Sequence, residues 1–292
     1  ELVALVSSAA SAGELPRDVT LELNTCRSTR PIYWPGQRLG IDREPMSVER
    51  ARPLLVELGR CDDLRLTLAG VGDPLLASGI LEIIQSARDA GIRAIHVETD
   101  LLGVDEATVS GLAEAPIDVV SVHIPAVSVR AYERVMGTDG LKQVLTNITR
   151  FAQARQAVGR GTPLLAPTFT KCTANLGEME VWYDHWLKAC GSAVIVGPSD
   201  YAGRIEDVAA ADMSPPKRCP CRRLGSRMTI LCDGRVASCE EDVLGEQCAG
   251  RAGEESMSGI WMHRMSGLRD AHALGEWSYG PLCDRCRQWH RP

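Results

Sequence analysis

The chain has 292 residues, with 32 basic against 38 acidic side chains and a net charge of −6. Its 45% apolar and 24% charged residues form an ordinary globular composition, which excludes a disordered or collagen-like chain. The basic residues are scattered rather than massed on one helix, so no nucleic-acid partner is expected. No apolar run approaches the ~20 residues of a membrane span.

The chain opens on Glu1, and no basic stretch precedes the apolar Leu2–Val6, so residues 1–17 read as a truncated lead-in without a secretory leader. Short β-branched or Leu-rich runs then recur at Val19–Leu23, Leu64–Leu68, Ala94–Val97, Val119–Val122, Leu164–Ala166 and Ala193–Val196. Between them lie segments of helical spacing with start and stop signals, such as Ser47 before Val48–Leu58, Gly91 after Leu81–Ala90 and Gly140 before Leu141–Val158. Six strand–helix units over residues 18–200 predict an α/β fold with a parallel sheet, either doubly wound or curled into an incomplete barrel. Residues 201–218, with Met213-Ser214-Pro215-Pro216, read as a linker. From 219 to 292 the pieces are short: a hairpin turning at Asp233-Gly234, a brief helix around Met257–Leu268, and a closing Cys283-Asp284-Arg285-Cys286.

Cysteine is the informative residue. Seven of the 11 cysteines fall in this last region, and an odd total with a Cys-x-x-Cys pair favours a reducing, cytoplasmic setting and a metal site over a disulfide framework. Cys221, Cys239, Cys283 and Cys286 have the spacing of four ligands brought together by a hairpin and a knuckle, suited to a cubane iron–sulfur cluster or to tetrahedral zinc. So small a region has little core, and a metal centre would supply stability that burial cannot.

The run from Cys221 to Cys286 resembles a SPASM domain, the cluster-binding extension of many radical S-adenosylmethionine (SAM) enzymes. Met228–Val236 followed by Cys239 matches its opening, and Glu255–Trp261 the segment before its last cysteines. The resemblance implies an auxiliary 4Fe–4S cluster on Cys221, Cys239, Cys283 and Cys286, with zinc the alternative. Cys219 is a substitute for Cys221, and Cys232 and Cys248 take no role.

Residues 18–200 resemble the radical SAM core, a partial (β/α)6 barrel with its chemistry at the C-terminal strand ends. Val71-Gly72-Asp73-Pro74 stands where the family has Gly-Gly-Glu-Pro, whose backbone holds the SAM amino group. Thr99, in Glu98-Thr99-Asp100-Leu101, and Ser121, in Val120-Ser121-Val122-His123, stand at further cofactor-facing positions, and Tyr132, Gly137 and Asn147 fall in the expected order.

One departure governs the functional expectation. The family's catalytic cluster needs Cys-x-x-x-Cys-x-x-Cys after the first strand, and here Cys26 is followed at those spacings by Arg30 and Tyr33. One thiolate cannot hold a cubane. Cys61, Cys172 and Cys190 do not replace the missing pair, because Cys61 belongs to the opposite rim. Arg30, Tyr33, Trp34 and Arg38 form instead a cationic and aromatic loop suited either to gripping an anionic or planar ligand or to packing Trp34 over the vacated cavity. His123 is the one histidine at a strand end, and the acidic Asp73, Glu98 and Asp100 are expected to cap helices or meet solvent. The expectation is a degenerate radical SAM/SPASM protein, a pseudoenzyme that binds a ligand or a peptide or protein partner, keeps the auxiliary cluster and binds SAM weakly or not at all. The alternatives are an active radical SAM maturase modifying a peptide or small metabolite, and a zinc-stabilised binding module.

Overall fold

The computed structural model describes residues 15–291. The greater part of the lead-in expected over 1–17, and the last residue, lie outside them. Six parallel strands alternate with helices: β1 (Asp18–Leu21), α1 (Val48–Leu58), β2 (Arg65–Leu68), α2 (Ile80–Asp89), β3 (Ala94–Thr99), α3 (Glu106–Glu114), β4 (Val119–His123), α4 (Val129–Met136), α5 (Leu141–Val158), β5 (Leu164–Thr170), α6 (Met179–Cys190) and β6 (Val194–Val196). Ser47, Asp105 and Ser128 accept from backbone N–H groups in the first turns of α1, α3 and α4, so the sequence sets these starts locally. No helix among the described residues is long and apolar enough to cross a membrane.

The C-terminal region joins the same sheet. After a largely irregular stretch come β7 (Arg227–Ile230), β8 (Arg235–Ala237), β9 (Cys248–Arg251), α7 (Met257–Gly259), a π-helical turn (Ile260–Arg264) and α8 (Ser266–Leu274). The strand order is β6-β5-β4-β3-β2-β1-β7-β8-β9, with β7 parallel to β1 in the register Asp18↔Arg227 to Leu21↔Ile230. The expected hairpin at Asp233-Gly234 therefore does double duty: its first strand extends the barrel sheet.

Strand parity sorts the side chains. On β1, Val19 and Leu21 are buried under the helices while Asp18 and Thr20 turn inward, and β2 and β3 repeat this with Leu66 and Leu68 and with Ile95 and Val97. The inward face is unusually polar, and it encloses a cavity rather than a packed centre.

Candidate functional site

The loop after β1 fills the ground where three cysteines would stand. Cys26 is exposed. Arg27 turns its side chain inward: Nη1 donates to Asp100 Oδ1 at 2.6 Å, Nε to the Val71 carbonyl at 3.3 Å and Nη2 to the Gly72 carbonyl at 3.4 Å. The Trp34 indole Nε1 donates to the same Val71 carbonyl at 2.7 Å, and the Arg27 guanidinium lies 4.2 Å from the centre of the Trp34 ring. Tyr33 leaves the mouth for the core, its hydroxyl 3.5 Å from Met136 Sδ. Burial holds that phenol far above its ordinary pKa. Arg30 and Arg38 stay on the rim of a shallow cavity of about 180 Å³, shared with Thr25, Thr29 and Gln37.

The Val71-Gly72-Asp73-Pro74 loop is explained by packing against β1. A Cβ on Gly72 would come within 2.2 Å of Asn24 Oδ1, and Gly72 N and Asp73 N donate to the carbonyls of Asn24 and Cys26. Asp73 caps the turn at Pro74 by accepting from Leu75 N at 3.0 Å. Its other oxygen accepts from the Thr99 hydroxyl and from Asp100 N, both at 2.8 Å. Burial, with Asp100 alongside, pushes the Asp73 carboxyl up to about 6. Thr99, expected to face a cofactor, is thus fully buried and committed to Asp73. Asn147 donates to the Leu101 carbonyl at 3.0 Å, and Tyr132 is a core residue.

Below this roof lies the barrel cavity, about 380 Å³, lined by inward residues of β1 to β6 and by 223–243. Ser121 Oγ meets His96 Nε2 at 2.8 Å. His123 stands edge-on to Trp34, their ring centres 6.3 Å apart. Glu98, across from Ser121 in the β3–β4 register, points into the same space. A left-handed run at Tyr201 (φ 51°), Ala202 (57°) and Gly203 (80°) turns Tyr201 into the cavity wall, and two non-glycine residues there carry backbone strain.

The C-terminal thiols behave differently. Cys221, Cys239, Cys283 and Cys286 line one small, mostly apolar cavity with Leu224, Leu282 and His272. Among the described residues no set of three or more Cys, His, Asp or Glu side chains stands at metal-coordinating geometry. Burial, with smaller contributions from Glu241 and from one another, raises these thiols: Cys283 is pushed up to about 11, Cys286 to about 12, Cys239 well above its ordinary value. Deprotonation by a bound metal would reverse that preference. Cys219 is exposed and outside the cavity. Cys232 packs beside the buried Glu22–Arg43 pair, and Cys248 is exposed, its Sγ 3.2 Å from the Gly245 carbonyl.

Sequence reasoning missed Arg27 and gave Glu98 only a generic role. The alternation along β3 could have placed Glu98 inward with His96, but Arg27 pairs with Asp100 across the fold and otherwise donates to backbone carbonyls, neither of which spacing reveals.

No family model matches the chain. An uncharacterized protein of Treponema pallidum (strain Nichols) is 26% identical over 273 residues, covering 89% of this chain and 74% of that protein. Among solved structures, BtrN in complex with AdoMet and 2-DOIA superposes with a TM-score of 0.60 at 16% identity over 93% of both chains. Streptococcus suis SuiB bound to precursor peptide SuiA gives 0.70 at 13% identity, covering 91% of this chain and 69% of that one. The protein anSMEcpe with bound AdoMet and Cp18Cys peptide gives 0.67 at 11% identity, covering 94% and 90%. Identities this low speak for the fold alone: an α/β partial barrel of the radical SAM type.

Proposed function

We propose that this chain is a pseudoenzyme with a radical SAM-type barrel, binding a small ligand or a peptide partner and leaving SAM uncleaved. An auxiliary 4Fe–4S cluster on Cys221, Cys239, Cys283 and Cys286 belongs to the same reading. The observation that carries it is the occupation of the Val71-Gly72 carbonyls by Arg27 and Trp34. A SAM ammonium group would have to displace a guanidinium already paired with buried Asp100, and a displaced buried cation leaves an uncompensated carboxylate. Cys26 alone does not fit a SAM-cleaving cluster, and no step is assigned through one.

By their chemistry the C-terminal donors suit a metal centre. Four soft thiol donors border one small cavity, with Arg218, Arg223 and Glu241 also on its wall, and a bound cluster would supply stability and an electron-transfer centre there. The peptide-bound forms of SuiB and anSMEcpe support a peptide as the class of partner.

Calorimetry with SAM on anaerobically reconstituted protein, with iron, sulfide and zinc counted per chain, tests this reading. No SAM binding with about four irons is the expected result. Micromolar SAM affinity with about eight irons would restore an active maturase, and zinc without sulfide would indicate a zinc-stabilised binding module.

A further inference from the structure

Among the described residues, no arginine or lysine makes an ion pair with Glu98, an acidic group of the barrel cavity. Asp18 pairs with Arg65 at 2.8 Å, Glu22 with Arg43 at 2.7 Å, and both Glu240 and Glu241 with Arg223. Asp242 accepts from the backbone N–H groups of Glu246 and Gln247. Glu98 differs: its oxygens face only His96 Nδ1 at 3.9 Å and His123 Nε2 at 3.8 Å, both beyond hydrogen-bond distance. Burial pushes both imidazoles below their ordinary pKa, His96 to about 4, so they are neutral at pH 7 and bring no positive charge to the seat.

His123 adds the second observation. It is 8% exposed, and its Nε2 has no hydrogen-bond partner among the described residues. A buried ring nitrogen without a partner, beside a partly exposed carboxylate, offers in its Nδ1–H tautomer a pair of acceptors to one donor. A gap of 3.8 Å between them lets a single nitrogen sit about 2.8–3.0 Å from both, the two acceptors subtending about 80–85° at it, so that its two N–H bonds reach them through bent hydrogen bonds.

We propose that the barrel cavity binds a protonated aliphatic amine, its ammonium group seated between the Glu98 carboxylate and His123 Nε2. The inference rests on the barrel being a ligand-binding module. A compact ammonium matches two acceptors on one spot better than the wide planar fork of a guanidinium. The Trp34 edge roofs the seat, the hydroxyls of Thr20 and Thr67 line the way inward, and about 380 Å³ suits a small molecule or one long side chain. The same chemistry could come from a free amine or from a lysyl side chain of a peptide.

Calorimetric titration with n-butylamine, with Nα-acetyl-lysine methylamide and with neutral n-butanol separates these cases on the full chain. Saturable binding of an amine and none of butanol is expected, with affinity falling about tenfold or more in Glu98→Gln, the scale of one charge-assisted hydrogen bond. Binding of butylamine alone identifies a small-molecule ligand; binding of the capped lysine identifies a peptide side chain. His123→Asn is the second variant, and thermal melting verifies that each variant folds. Absence of saturable binding by either amine up to about 10 mM, equal binding of butanol, or undiminished affinity in both variants overturns the proposal. SAM binding is measured separately, so a failure here leaves the pseudoenzyme reading standing, and SAM binding would overturn that reading while leaving the amine seat to be judged on its own titration.

Discussion

The barrel mouth and the C-terminal thiol cavity, the two places where the sequence resemblance sets metal ligands, differ in what their side chains do. At the mouth, two of three expected thiols are Arg30 and Tyr33, and Arg27, Trp34 and Tyr33 fill or close the space with ion pairs, a cation–π contact and core packing. In the C-terminal cavity all four thiols persist around a small apolar space. At the mouth the polar groups are already paired within the protein, whereas in the thiol cavity burial keeps the thiols protonated, an arrangement that contributes little without a metal. The difference makes each region testable by what its removal does.

The largest effect belongs to the thiol cavity. Cys283→Ser or Cys286→Ser should abolish metal binding and leave residues 275–291 open to limited proteolysis, because the apolar cluster at the cavity is small, Leu224 and Leu268 with Cys283, whereas Met257, Ile260, Trp261 and Met265 are buried in the main core. Since β7 is paired to β1, the barrel through β7 should resist cleavage. A variant with full metal content and unchanged protease resistance breaks the comparison.

Arg27→Gln comes next. It strands Asp100 and Asp73 in the interior, with an expected loss of about 3–5 kcal/mol by chemical denaturation. The pH dependence follows from the sign of the Asp73 shift. A carboxyl raised to about 6 when folded stabilises the fold most below its unfolded value, and that contribution is lost as pH rises towards 6. Arg27 holds the Asp73 carboxyl down, so without it that carboxyl rises further and the variant's deficit should be larger at pH 7 than at pH 5. An equal deficit at the two pH values would contradict the shared-cation account.

Trp34→Ala is the smallest of the three. The half-buried indole loses its bond to Val71 and its contact with Arg27, an expected cost of about 2 kcal/mol, below the range for a fully buried tryptophan. SAM should still fail to bind, because Arg27 remains on the loop carbonyls. SAM binding gained by this single change would show that the indole alone closes the site.

The strand–helix alternation was legible because its signals are local. Val48–Leu58 and Leu141–Val158 appear with the expected bounds, and each strand lies within a few residues of its predicted run. The place of β7 beside β1 was not legible, since a parallel pairing across about 200 residues leaves no mark on either strand's composition. At the site, the loss of cysteines at 30 and 33 could be read from spacing. What replaced them could not: Tyr33 looks like a mouth residue until its burial is known, and Arg27 binds main-chain oxygens that every sequence possesses. The isolation of Glu98 likewise depends on the β3–β4 register and on which arginines reach the other carboxylates.

The most direct test of the central claim is production of 5′-deoxyadenosine by anaerobically reconstituted protein under strong reductant with added SAM. Reductive cleavage of the sulfonium requires an iron with an open coordination site in contact with SAM, which Cys26 alone cannot provide. The account predicts no product above the protein-free control. Steady production that disappears in Cys26→Ala would contradict it.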